Sequence, residues 1–405
     1  MSKILHWLCI ASILFLLTGC WNYRELDDWS VVTAMGVDKG EKGKRYRVSY
    51  QVVNSGSLAG GGGQSGRGTG TRGTPTVTYS STGDNLYETI VNTNLKAPRK
   101  LFFAHQRLLL IGESVAREGI EHLLDRLERD EHGRLNIIVM VVRDGQAESL
   151  INFLSPLERI SAYSLSETLK VAEQFTGMNW VTDLSEVIND LSSKGKEPLV
   201  SGVKLIGDQQ MGDQQTNIQE SRLSARTELN GVAMFKKGKL VRWLEGERAR
   251  GVAFILNRLQ GTLLTLGCDG SEKETVGIYL NRFTTKRSIR VRKNKPVIRI
   301  DVNSEGSIGE MDCPLNLEDP RQIERLQQKS NQKIKKDIRE AIKTAQKSKS
   351  DIFGFGELLH QQDPQTWRSL KKDWPRHFAK ARIEIKVHTF IRLTGMRINT
   401  YPNPR

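Results

Sequence analysis

Apolar positions along this chain follow two rhythms, one skipping every other residue and one returning every three or four, and their alternation lays out an α+β protein. Residues 31–38 form a β-rich run. A charged, glycine-containing turn separates them from a second strand at 46–53, so the pair reads as a hairpin. After a strand at 76–80 the period changes, and a helix is expected to carry Leu86, Ile90 and Leu95 inward. A strand at 107–111 and a helix with Ile120, Leu123, Leu124 and Leu127 on one face come next, then a continuous apolar strand at 136–142. Helices are expected near 146–153, 162–174 and 183–191. Strands and helices interleave irregularly, which argues a mixed, multi-domain α+β architecture with antiparallel pairs and packed helices.

Residues 209–224 are polar and lack any core-forming period, so they are taken as a linker between an N-terminal region, 20–208, and a C-terminal region, 225–405. The second region opens with a hairpin, 231–235 and 240–244, about Lys236-Lys237-Gly238-Lys239, and a short helix at 247–257. Ile289, Val291, Ile298, Ile300 and Val302 then alternate with Arg290, Arg292, Arg299 and Asp301 about Lys293-Asn294-Lys295, a second hairpin with a wet, basic face. A sub-boundary is expected near 310. Beyond it Asp319 can cap and Pro320 can open a helix whose Ile323, Leu326, Ile334, Ile338, Ile342 and Ala345 recur at helical spacing. A half-buried strand of antiparallel type, 382–393, closes the chain.

Two segments stand outside these rhythms. Residues 55–73 hold nine glycines among polar residues and read as a mobile loop, too poor in apolar side chains to order itself. Within it Gly68-Thr69-Gly70-Thr71-Arg72-Gly73 fits a dinucleotide-binding spacing, but Thr74-Pro75 and a strand follow where a helix N-terminus would be needed. The second segment is the beginning. Lys3 precedes an apolar stretch from Ile4 to Leu17, and Leu17-Thr18-Gly19-Cys20 follows. Positive charge, apolar core and two small residues before a cysteine predict a signal peptide over 1–19, cut before Cys20, with a diacylglyceryl thioether on that residue and palmitate on its new amine. Each buried methylene contributes about 0.8 kcal/mol, so such an anchor is effectively permanent. It would hold the protein on the outer face of the cytoplasmic membrane.

The chain has 405 residues and a formal net charge of +15. Much of that excess falls in the second hairpin and in the helix after Pro320, where solvated faces are the plain reading and anionic lipid headgroups an alternative for the helix. An exported protein seldom meets nucleic acid, and none is expected as a partner. Of the four cysteines only Cys268 and Cys313 remain once Cys9 leaves and Cys20 is acylated, and they are either bridged or a pair of unpaired buried thiols. The histidines left after cleavage, His105, His122, His132, His360, His377 and His388, are scattered over different elements. No nucleophile or ligand spacing accompanies them, so no catalytic, metal or cofactor site is expected.

Several segments carry a resemblance: Cys20-Trp21-Asn22-Tyr23-Arg24-Glu25-Leu26, Thr33-Ala34-Met35-Gly36-Val37-Asp38, Arg99-Lys100-Leu101-Phe102-Phe103-Ala104-His105 and Leu110-Ile111-Gly112-Glu113. Gly231-Val232-Ala233-Met234-Phe235, Asp351-Ile352-Phe353-Gly354-Phe355-Gly356-Glu357 and Arg392-Leu393-Thr394-Gly395 extend it. Together they resemble the Ger(x)C lipoproteins, the C subunits of spore germinant receptors. The resemblance implies a non-catalytic α+β lipoprotein on the outer surface of the spore's inner membrane, needed for nutrient-triggered germination and assembled with integral-membrane A and B subunits. The alternative is a solute-binding lipoprotein that captures the nutrient itself, although that class is built from repeated β-α-β lobes. Two places offer a partner surface. Tandem Phe102 and Phe103, pointing to opposite faces, leave one aromatic free of the core, and Arg290 and Arg292 line the basic face of the second hairpin.

Overall fold

The computed structural model describes residues 28–54, 74–129, 133–219, 221–268, 274–313 and 315–393, together with Trp7. Cys20 and the glycine-rich stretch 55–73, expected to carry lipid and to form a mobile loop, lie outside the described residues.

The first half of the chain builds a nine-stranded sheet. Its elements are β1 (Trp29–Lys39), β2 (Tyr46–Val53), β3 (Thr76–Gly83), α1 (Leu86–Asn94), β4 (Lys100–Phe102), β5 (Leu108–Gly112), α2 (Glu113–Glu118), α3 (Glu121–Glu128) and β6 (Ile138–Val142). They continue through α4 (Ala147–Asn152), α5 (Ser161–Phe175), α6 (Leu184–Ser192), β7 (Leu199–Gly207), α7 (Thr216–Gln219), β8 (Ala225–Lys236) and β9 (Lys239–Leu244). The strand order is β3-β2-β1-β5-β6-β7-β8-β9, with β4 also paired to β1. β1, β5, β6 and β7 run parallel, whereas the pairs at both margins are antiparallel.

β5 and β6 are apolar throughout because helices cover both faces of the sheet. Leu109, Ile111, Val139 and Val141 pack with α2, α3 and α6 on one side. Leu108, Leu110, Met140 and Val142 pack with α4 and α5 on the other. The expectation for α1 was wrong at its end, since Leu95 is 83% exposed. The helix turns Thr89 and Thr93 inward instead, because Thr89 Oγ1 lies 2.8 Å from the buried Tyr50 hydroxyl and Thr93 Oγ1 donates to Ser81 Oγ at 2.9 Å. Buried hydroxyls on β2 and β3 need partners, and a leucine cannot supply one.

β7 and β8 are antiparallel neighbours, from Leu199↔Met234 to Gly207↔Ala225. The polar stretch 209–224 therefore connects adjacent strands of one sheet. Asn217 pins it there, accepting from the Ala225 N–H at 2.9 Å and donating to the Ala225 carbonyl at 3.2 Å. The change of sheet comes later, where α8 (Glu247–Leu256) follows β9.

The second sheet has the order β10-β11-β12-β13, formed by β10 (Thr262–Gly267), β11 (Thr275–Arg292), β12 (Lys295–Met311) and β13 (Arg382–Leu393). Lys293 and Asn294 turn β11 into β12 with φ of 49° and 59°, the positive values that two-residue hairpin loops favour. Between β12 and β13 lie α9 (Pro320–Ser348), α10 (Phe355–Gln362), α11 (Pro364–Leu370) and α12 (Trp374–Ala379). The Asp319 side chain caps α9 by accepting the Arg321 N–H, and Leu326, Ile334, Ile338, Ile342 and Ala345 face inward. At 29 residues the helix is about 44 Å long. It returns the chain along the sheet, so β13 lies parallel to β12, from Val297↔Arg382 onward, and not antiparallel as expected. Glu310 is the last residue but one of β12, and α9, which follows, packs back on the same core as the second sheet.

Cys268 and Cys313 are bridged, with Cα atoms 5.8 Å apart across a sequence separation of 45 residues. Closing a loop of that length restricts the unfolded chain, and losing it is expected to cost about 2–4 kcal/mol. Urea unfolding of a Cys268→Ser/Cys313→Ser protein measures this directly, and an unchanged midpoint would contradict it.

Candidate interaction surfaces

The segments that carry the family resemblance first explain how the fold is held. Gly36 and Asp38 lie on β1, and Gly112 ends the neighbouring β5. Asp38 receives the N-terminus of α4, its Oδ1 accepting the Ala147 N–H at 2.8 Å and its Oδ2 the Glu148 N–H at 3.1 Å. Burial raises this carboxyl above the usual range, and the two N–H donors pull it back. A Cβ at Gly112 would come 2.5 Å from Asp38 Oδ1, and one at Gly36 would come 2.7 Å from Ile151 Cδ1. Glycine at both positions is thus what lets α4 sit against the sheet.

Asp351 plays the corresponding part between the two sheets. Its Oδ1 accepts the N–H groups of Phe353 and Phe355, both at 3.2 Å, while Oδ2 accepts the Gly356 N–H at 2.8 Å and Trp374 Nε1–H at 2.9 Å. Burial pushes the carboxyl up to about 6 against the pull of those four donors. Its backbone carbonyl accepts from Glu197 N–H at 2.9 Å, Glu357 N–H donates to the Gly195 carbonyl at 3.3 Å, and Ser350 Oγ donates to the Phe235 carbonyl at 2.6 Å. A Cβ on Gly195 would meet Glu357 N at 2.4 Å. The Asp351–Glu357 turn is therefore a clasp by which the second half grips β7 and β8 of the first. Both Asp38 and Asp351 lie in segments that carry the resemblance, but the sequence alone assigns neither carboxylate a role.

Phe102 and Phe103 part as alternation in a short strand requires. Phe103 packs into the first core, edge-on to Tyr50 at 5.8 Å between ring centroids. Phe102 turns away, 5.0 Å from the Trp29 ring and 5.8 Å from that of His105. β4 pairs with the very start of β1, Trp29↔Lys100 and Val31↔Phe102, which brings Lys100 Nζ to 5.6 Å from the Trp29 ring. Both rings of the Trp29–Phe102 pair are half-buried, at a corner also bearing exposed Lys96, Arg99 and His105.

Arg290 and Arg292 lie elsewhere, on the face of the second sheet opposite its helices. With Lys295, Arg299, Lys380 and Arg382 they line an open cleft of about 490 Å³. Among the described residues Glu384 is the one acid in that lining, and it faces Arg299 at 3.5 Å and Arg382 at 3.4 Å. Cations outnumber carboxylates there, so the cleft is fit to receive anions. The other basic segment, α9, is more occupied, since Lys333 pairs with Glu247 at 2.6 Å, Lys343 with Glu340 at 2.9 Å, and Lys329 Nζ donates to the Gly267 carbonyl at 3.0 Å. Among the described residues no group of three or more His, Cys, Asp or Glu is placed to hold a metal. No helix among them is long and apolar enough to cross a membrane.

This pairing of a mixed sheet helix-covered on both faces with a second, partly uncovered sheet has a solved counterpart. The crystal structure of the GerBC protein superposes with a TM-score of 0.53 at 17% identity, covering 88% of this chain and 96% of that one. Residues 22–205 match the family described as spore germination protein N-terminal domain, and residues 230–395 the family described as spore germination B3/GerAC like, C-terminal. Spore germination protein KC of Bacillus subtilis (strain 168) is 31% identical over 96% of this chain and 97% of its own length. Spore germination protein B3 of the same organism is 21% identical over 93% of this chain and 94% of its own. The chain belongs to the GerAC-like family of spore germination proteins.

Proposed function

We propose that this protein is the non-catalytic lipoprotein subunit of a spore germinant receptor. Acyl chains on Cys20 hold it at the outer face of the spore's inner membrane, where it assembles with integral-membrane A and B subunits and is needed for the response to nutrients. The observation that carries this reading is the match of both halves to germination families, in a chain whose Leu17-Thr18-Gly19-Cys20 has the form of a lipoprotein cleavage site. Confinement to the membrane plane supplies the physical logic. It lets modest contacts with membrane subunits suffice, because the anchor raises the effective concentration of each partner.

Cys20→Ala in the spore-former tests the reading. Spores carrying the variant are expected to lose most of their nutrient response while responding normally to stimuli that bypass the receptor, and the variant is expected in the soluble fraction. Normal nutrient germination with wild-type amounts of soluble variant would contradict it.

A further inference from the structure

The half-buried aromatic corner at the start of β1 stands where the proposed anchor must enter the fold. Eight residues lie between Cys20 and Trp29, and the nine steps of chain, even fully extended, keep the Trp29 corner within about 30 Å of the acylated thiol. That corner is not an ordinary polar surface. α1 turns Tyr87, Val91 and Leu95 outward, spaced by four residues on one helical face and 62%, 45% and 83% exposed. Leu95 leads into the exposed cations Lys96, Arg99 and Lys100, and Lys100 pairs with Trp29 on β1 beside Phe102. Apolar side chains in a row, aromatic rings next to them and cations at the margin form the pattern of a surface lying in the headgroup layer.

We infer that the Leu95 end of α1, the Leu95–Lys100 segment and the Trp29–Phe102 pair rest on the anionic membrane surface, so that the protein is oriented by a second contact besides its lipid. Leu95 enters the acyl boundary, the aromatic pair sits at headgroup depth, and Arg99 and Lys100 meet lipid phosphates. The hydroxyls of Tyr50 and Ser81 account for the threonines that α1 turns inward, and the membrane contact gives a role to Leu95 at its exposed end. It rests on the acylation of Cys20.

The test uses the full-length acylated protein in vesicles of phosphatidylglycerol and phosphatidylethanolamine, carrying an environment-sensitive fluorophore on Leu95→Cys. The control label is on Lys42→Cys, in the turn after β1 and about 33 Å along that strand from Trp29. The expected result is a blue-shifted emission at position 95, quenched by lipids with a nitroxide near the headgroup, and an unshifted, unquenched emission at position 42. Charge reversal of Arg99 and Lys100 is expected to reduce the quenching at 95. Vesicle-bound, acylated protein with position 95 as water-exposed as position 42 would overturn the inference and leave the anchoring standing. Protein without acyl mass that stays off the vesicles would overturn both. A label at 95 that is exposed in these vesicles but shielded in membranes holding the complete receptor would assign this face to a protein partner and overturn contact with lipid.

Discussion

Asp351→Ala is expected to lower the stability of the protein by about 3–5 kcal/mol, because four N–H groups would lose the acceptor they share in the interior. No other group can take over. The donors on Phe353, Phe355 and Gly356 are fixed in one turn, Trp374 Nε1 is fixed by a buried ring, and the turn is closed to water. Since the same residue's carbonyl receives Glu197 N–H, the loss is not confined to the turn. It should loosen the grip of the second sheet's body on β7 and β8. Two measurements check this: urea unfolding, for the shift in stability, and limited proteolysis, for accelerated cleavage between the halves. A variant within about 1 kcal/mol of the wild type, cleaved at the same rate, would show that the clasp is dispensable. As Asp351 lies in a segment that carries the family resemblance, such a result would also require another reason for that segment.

How far the sequence revealed this architecture depended on the kind of signal. Strands buried on both faces, such as Leu108–Gly112 and Ile138–Val142, are continuous apolar runs, and the long helix announces itself by Asp319, Pro320 and a sustained helical period. Local chemistry sufficed for each. The direction of β13 was not legible, because alternation fixes which side chains face a core but says nothing of which way the neighbouring strand runs. Leu95 was misplaced for a related reason. An apolar residue at helical spacing was taken to face inward, whereas the sheet beneath it offers hydroxyls that suit Thr89 and Thr93 better. The polar stretch 209–224 falls between the two family matches, 22–205 and 230–395, yet it joins adjacent strands of one sheet, which composition could not reveal. The corner at Phe102 was partly legible, since tandem aromatics in a strand must diverge. Its neighbours Trp29 and Leu95 could not be assigned to it without the pairing of β4 with β1.

The second large effect concerns a charge pair that periodicity disguised as a wet face. Asp337 sits among the cations of α9, yet it is fully buried and receives Arg250 from α8, with Nε donating to Oδ2 at 2.8 Å and Nη2 at 2.7 Å from the same oxygen. Arg250 Nη1 donates to the Leu263 carbonyl at 3.1 Å, while among the described residues Asp337 Oδ1 accepts no hydrogen bond. Burial raises the Asp337 carboxyl above its usual range, and the guanidinium draws it back. The two helices touch here, for a Cβ at Gly251 would come 2.3 Å from the Asp337 carbonyl oxygen. Asp337→Ala is therefore expected to cost about 3–5 kcal/mol, since it strands a guanidinium in a core that cannot solvate it. The pair as a whole is a different matter. Taking both charges out of water offsets most of their attraction, so Arg250→Met with Asp337→Leu, which keeps the volume and removes both charges, is expected to be about as stable as the wild type or more so. A double-mutant cycle followed by urea unfolding separates the two effects. If the double variant were clearly less stable than the wild type, the pair would be a net stabiliser and the helix contact would depend on its charges; if Asp337→Ala changed little, Glu247, whose Oε1 lies 3.9 Å from Arg250 Nη2, would have taken over the guanidinium.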